Sequence, residues 1–185
     1  MKRVVIVHGY KGSPETNWKP WLKRELEAHG YAATVPEMPN TDNPDALAWV
    51  SKLAETIGEP NKDTYLVGHS LGCITILRYL ELLHQDQKIG GAILVAGFGE
   101  KFQQYQGGHD SFFDHELNWQ AIREHCAKFV AVHSDDDPNV EYAQLNFLAQ
   151  KLHAKAVGVH GMGHFGSADG VYEIPVVRDE LLALN

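Results

Sequence analysis

The chain has 185 residues, with 16 Lys and Arg set against 24 Asp and Glu, for a formal net charge of −8. That length predicts one domain over residues 1–185 with a sizeable buried core. The acidic balance argues against nucleic acid and anionic membrane as partners, because both need basic surfaces.

Arg3 to Val7, RVVIV, is a β-branched run bounded by a loop, as expected of a strand buried on both faces. His8 to Pro14, HGYKGSP, is that loop. Asn17 is placed to cap a helix running to about His29, with Trp18, Trp21, Leu22 and Leu26 on one face and Gly30 ending it. A short strand is expected over Tyr31 to Val35, then a polar connection through Pro36, Pro39 and Asn43. Pro44 suits the first turn of a second helix whose inward stripe is Leu47, Val50, Leu53, Ala54 and Ile57, stopped by Gly58. Thr64 to His69 reads as a strand and Leu71 to about His84 as a helix apolar nearly all round. Ala92 to Ala96 is another buried strand, followed by a loop from Phe98 to Phe113 without clear period. Asp114 is placed to cap a short helix with Leu117, Ala121 and Ile122. Then come a strand over Lys128 to His133, a turn over Asp135 to Pro138, and a helix from Val140 to Leu152 with Val140, Ala143, Phe147 and Leu148 inward. A strand over Ala156 to His160, a glycine-rich loop and a helix from Glu173 to Leu184 close the chain. This alternation predicts an α/β fold: a three-layer sandwich of about six mostly parallel strands with helices on both faces.

One junction stands out. Between the strand ending at His69 and the helix opening at Leu71 stands Gly68-His69-Ser70-Leu71-Gly72. GxSxG at a strand-to-helix turn is the nucleophile-elbow pattern, in which a sharp turn lifts the serine hydroxyl above the sheet. The backbone N–H of Leu71 then lies at a helix N-terminus, where it can stabilise an oxyanion. Ligands of open α/β sheets collect outside the strand carboxyl ends. The loops there carry His8-Gly9-Tyr10, Ser70, the run Asp135-Asp136-Asp137, and His164, so the chemistry falls in the order Ser, Asp, His. A serine hydroxyl needs a base, histidine titrates in the right range to serve as one, and a carboxylate fixes its tautomer. The Tyr10 N–H is the expected second donor of the oxyanion hole, and Trp18, Phe98 and Phe165 are the expected pocket walls. His133 and His160 are rival bases, expected instead to hydrogen-bond nearby backbone. His69 is expected to pack or hydrogen-bond locally.

His160 and His164 are four residues apart but separated by glycine and methionine, so no metal site is expected and no cofactor is needed. Spacing does not choose among Asp135, Asp136 and Asp137. Two cysteines, Cys73 and Cys126, and the absence of a leader-like apolar segment point to a cytoplasmic protein.

The segments VVIVHGYKGSPETNWKPWL, YLVGHSLGCITILRYLE, GGAILVAGF, HSDDDPNV and HGMGHFG together resemble the small α/β-hydrolase-fold serine hydrolase family typified by retinoblastoma-binding protein nine and its bacterial homologues. The resemblance covers nearly the whole chain. It implies an α/β-hydrolase without a lid domain and a catalytic Ser70, Asp137 and His164. The expected activity is cleavage of a small carboxylic ester or related acyl bond through an acyl-enzyme. The alternatives are a thioesterase, amidase or peptidase using the same triad, or a non-catalytic protein-binding module on a hydrolase scaffold.

Overall fold

The computed structural model describes residues 1–102 and 109–184. Six parallel strands form one sheet: β1 (Arg3–Val7), β2 (Ala32–Thr34), β3 (Thr64–His69), β4 (Gly91–Val95), β5 (Phe129–Ser134) and β6 (Lys155–Val159). The spatial order is β2-β1-β3-β4-β5-β6. Register is fixed by pairs such as Val7 with Gly68 and His69 with Val95. Among the described residues, five α-helices connect the strands, α1 (Lys19–Ala28), α2 (Ala46–Ile57), α3 (Leu71–Glu81), α4 (Trp119–His125) and α5 (Ala143–Leu152), and α6 (Pro175–Ala183) follows the last strand.

Two apolar layers hold the sandwich. Val5, Val7, Leu66 and Leu94 pack against Trp49, Leu53, Ile74, Leu77, Ile122 and Leu148, which places α2 to α5 on one face. Val4, Ile6, Val67, Ile93 and Val130 pack against Leu22, Leu26, Val177 and Leu181, which places α1 and α6 on the other. Because alternate strand residues feed opposite layers, β1, β3, β4 and β5 are buried almost throughout, as their unbroken apolar runs require. β2 and β6 are the edge strands, and β6 is largely exposed. Only residues 96–118 separate β4 from α4, too few for a lid domain. Residues 103–108 of the Phe98 to Phe113 loop lie outside the described residues.

Several local expectations are corrected. Asn17 is not the cap of α1: it has φ +57, Trp18 occupies the cap position, and the Asn17 Oδ1 accepts instead from the backbone N–H of Ser167 at 2.9 Å. In α2 the cap is Asp45, whose side chain accepts from Ala48 N. Leu47 is 74% exposed, and Trp49 takes the inward position because Pro39 O accepts its indole N–H at 2.7 Å. In α4 the cap is Asn118 rather than Asp114, with Phe112 buried in a short 3-10 turn before it. Ala143 at the start of α5 is exposed, and Leu145 is buried in its place.

The order β2-β1-β3-β4 reverses direction between β1 and β3. A crevice opens outside the carboxyl ends of adjacent strands at such a point. The loop after β1 and the elbow after β3 therefore meet there.

Candidate active site

Ser70 sits at φ +54 and ψ −119, a conformation that non-glycine residues rarely adopt. The surroundings impose it. The Ser70 N–H donates to Val95 O at 2.9 Å, and Cys73 N–H donates to Ser70 O at 2.9 Å, so β4 and the first turn of α3 grip the residue from both sides. Gly68 and Gly72 make the crowding possible. A Cβ on Gly68 would lie 2.8 Å from the Cys73 backbone, and one on Gly72 would overlap the Val7 carbonyl oxygen. The same closeness holds across the crevice, where a Cβ on Gly9 would come within 3.0 Å of Ser70 Cβ.

The loop after β1 is pinned by His8. Its ring is fully buried, with Nδ1 2.9 Å from Gly9 O and Nε2 accepting from Met38 N–H at 3.2 Å. This pattern requires the neutral ring with its proton on Nδ1, and burial lowers its pKa accordingly. Tyr10 follows, 43% exposed, with its ring 4.5 Å from that of His109. Leu71 is the first residue of α3, so its N–H has no partner within the helix.

The three aspartates after β5 point three ways. Asp135 is exposed and pairs with His160 at 2.6 Å. His160 is thus held by a carboxylate at the surface and not by backbone, contrary to the sequence expectation. Asp136 accepts from Ser134 Oγ at 2.5 Å and from Gly163 N–H at 2.9 Å, which ties the turn to the glycine-rich loop. Asp137 has a fully buried side chain, with Oδ2 2.8 Å and Oδ1 3.0 Å from His164 Nδ1. Its Oδ1 also accepts from Asn139 and Val140 N–H, so one carboxylate shapes the turn and holds the histidine. That contact puts the proton of neutral His164 on Nδ1 and leaves Nε2 as an acceptor.

The His164 backbone is held as firmly. Its N–H donates to Asp169 Oδ2 at 3.1 Å, and its carbonyl lies 2.8 Å from Nε2 of His69. His69 is buried between the rings of Trp18 and His164. Burial holds its pKa well below the usual value, with the His164 and Lys19 charges acting in the same direction. A neutral His69 donating to the His164 carbonyl is a positioning contact. His133 is held by backbone, its Nε2 lying 2.8 Å from Gly97 O, and among the described residues it makes no hydrogen bond to Ser70 or His164.

Ser70, Leu71, His164, Gly9 and Tyr10 share one cleft of about 1050 Å³. Phe98 lines it, together with Phe102. Trp18 and Phe165 do not: both are fully buried in the layer beneath α1 and α6, where a side chain gains more by leaving water than by facing a groove. Ser70 Oγ makes no hydrogen bond among the described residues.

Lys19 was not singled out from sequence. It opens α1, is 1% exposed, and lines the cleft beside His69. Burial lowers its pKa from 10.5 to about 8. In the unfolded chain the ammonium is solvated, so folding bears the cost of burying the charge below pH 8. That cost fades as pH rises from about 8 toward 10.5, where the folded state gives up its proton first. Lys19→Met is therefore expected to raise the melting temperature at pH 7, with the gain over wild type shrinking by pH 10. Comparing variant with wild type at each pH cancels the buried thiols of Cys73 and Cys126, which burial pushes up and which act in the opposite direction.

Comparison with known proteins follows the same lines. Residues 4–183 match the family model described as Serine hydrolase. The chain is 37% identical over 180 residues to YdeN of Bacillus subtilis (strain 168), covering 97% of this chain and 94% of that protein. It is 26% identical over 182 residues to Serine hydrolase RBBP9 of Rattus norvegicus, covering 97% and 95%. The crystal structure of the B. subtilis ydeN product superposes with a TM-score of 0.94 at 36% identity, covering 100% of this chain and 98% of that one. Est1E from Butyrivibrio proteoclasticus shares the fold, with a TM-score of 0.74 at 17% identity over 99% of this chain and 88% of its own.

Proposed function

This chain belongs to the serine hydrolase family, and from that premise we propose that it cleaves a small carboxylic ester or related acyl bond through an acyl-enzyme on Ser70. The observation that carries the proposal is the buried Asp137 carboxylate 2.8 Å from His164 Nδ1, in a cleft shared with a serine forced to φ +54. A carboxylate out of water beside an imidazole stabilises the imidazolium that forms when His164 accepts a proton.

The steps use only these residues. Ser70 Oγ attacks the acyl carbon while its proton passes to His164 Nε2. The carbonyl oxygen gains negative charge and is met by the N–H groups of Tyr10 and Leu71. The tetrahedral centre collapses, and His164 returns the proton to the departing alcohol. Water then repeats the sequence on the acyl-enzyme, releasing the acid and restoring Ser70. Ser70 and His164 line the same cleft, and the hydrogen bond between them is one that forms in the substrate complex.

Acyl length is the first property to test. With 96–118 as the whole connection between β4 and α4, the cleft has no lid domain to enclose a long hydrocarbon. A methylene gains roughly 0.8 kcal/mol only where it leaves water. Activity (kcat/KM) toward p-nitrophenyl esters is expected to peak at acyl chains of about two to six carbons, since extra methylenes would stay solvated and gain nothing. A rate that climbs steadily to long-chain esters would contradict it. The free, buried Cys73 and Cys126 support a cytoplasmic setting.

A further inference from the structure

The cleft contains a cation that the proposed reaction does not use. Lys19 is 1% exposed and lines the same cleft as Ser70, yet its ammonium makes no hydrogen bond or ion pair among the described residues. Its Nζ lies 5.7 Å from the centre of the Trp18 ring. A lysine buried to this degree for structural reasons finds a carboxylate or carbonyl, because an unpaired buried charge is destabilising.

The surroundings make the deficit of negative charge local. Lys19 is the first residue of α1, whose first turn has no acidic residue and no side-chain cap. The positive end of the helix thus adds to the ammonium. The Lys19 charge acts on His8, on the loop after β1, and on His69, at the end of β3, both basic; the acidic Glu37 also acts on His8 but makes no ion pair with Lys19 among the described residues. The two carboxylates closest to the reacting groups are already committed: Asp137 to His164, and Asp169 to the N–H groups of His164 and Gly166. The rest of the rim adds Lys11, which lies 4.0 Å from Asp42.

We infer that Lys19 is a specificity-determining residue and that the ester this protein cleaves carries a carboxylate, held by the Lys19 ammonium while Ser70 attacks. The inference rests on the serine-hydrolase reading above and names the substrate class within it. The carboxylate belongs either to the acyl part, as in a half-ester of a dicarboxylic acid, or to the alcohol part, as in an ester of a hydroxy acid. Both present the same anion to the same ammonium.

Two matched pairs of esters distinguish them by acid release in a pH-stat at pH 7. Monomethyl glutarate against its neutral amide, methyl 4-carbamoylbutyrate, tests an acyl carboxylate. Butyryl glycolate against butyryl glycolamide tests one on the alcohol. In one pair the anion is expected to be favoured in kcat/KM by about tenfold or more, the scale of one charge-assisted hydrogen bond, with the difference carried by KM. Lys19→Met should collapse that ratio toward one, and Lys19→Arg should retain most of it. A wild-type protein that cleaves the neutral esters as well as both anions overturns the inference while leaving the hydrolase reading intact. So does a preference that survives in Lys19→Met. Failure to cleave any of the four, together with no reaction of Ser70 with a fluorophosphonate, overturns the hydrolase reading and this inference with it.

Discussion

Ser70→Ala is expected to lower ester turnover on the order of 10⁶-fold, the scale seen when the nucleophile of a coupled triad is removed. The effect is chemical and not a loss of fold. Ser70 Oγ makes no hydrogen bond among the described residues, and the grip on the turn comes from backbone contacts with Val95 and Cys73. An alanine keeps those contacts and the same Cβ, so stability should stay within about 1 kcal/mol of wild type. Turnover by released acid and melting temperature, measured on one preparation, separate the two effects. A variant that retains a tenth of wild-type turnover would mean that Ser70 is not the nucleophile.

Asp137→Asn carries the second-largest expected loss, about 10⁴-fold in turnover. Asparagine fits the same space, and its Oδ1 still accepts from the Asn139 and Val140 N–H groups, so the turn after β5 should hold. What is lost is charge. The amide cannot stabilise protonated His164, and where it donates to Nδ1 it selects the tautomer with the proton on Nε2, which cannot accept from Ser70. The neighbours provide the control. Asp136→Asn keeps an acceptor for Gly163 N–H, and Asp135→Asn weakens only an exposed pair with His160, so both should turn over within a few-fold of wild type. Normal turnover in Asp137→Asn with a large loss in Asp136→Asn would move the assignment by one residue.

Much of this arrangement was legible in the sequence because its signals are local. GHSLG carries its own geometry: two glycines at the two places where a Cβ would strike Cys73 or Val7. The β-branched runs of β1, β3, β4 and β5 announce burial on both faces, and their alternation with helices announces the layers. Choosing among the three aspartates was different. Their side chains diverge through contacts to His160, Gly163 and His164, residues 25 to 27 positions away, which no spacing rule contains.

The misplacements have the same origin. Asn17 has the chemistry of a cap, but Ser167, 150 residues away, takes its side chain. Leu47 has the apolar character of the inner stripe, but Trp49 fills that position, its N–H donating to Pro39 O, ten residues back in the chain. Trp18 and Phe165 were assigned to the pocket by aromatic character, and packing drew them into the core. Lys19 did leave a trace. It is in helical phase with Leu22 and Leu26, and a lysine on that face is an anomaly in the pattern.

Reaction with a fluorophosphonate tests the central claim most directly, because the reagent phosphonylates a serine only where a base activates it and donors hold the developing oxyanion. Intact-mass and peptide analysis after brief exposure at neutral pH should show one adduct, on Ser70, in wild type, and none in Ser70→Ala. His164→Ala should react far more slowly while remaining folded. A wild-type protein that takes up no label, or takes it up equally on Ser70 and on other serines, would contradict the account.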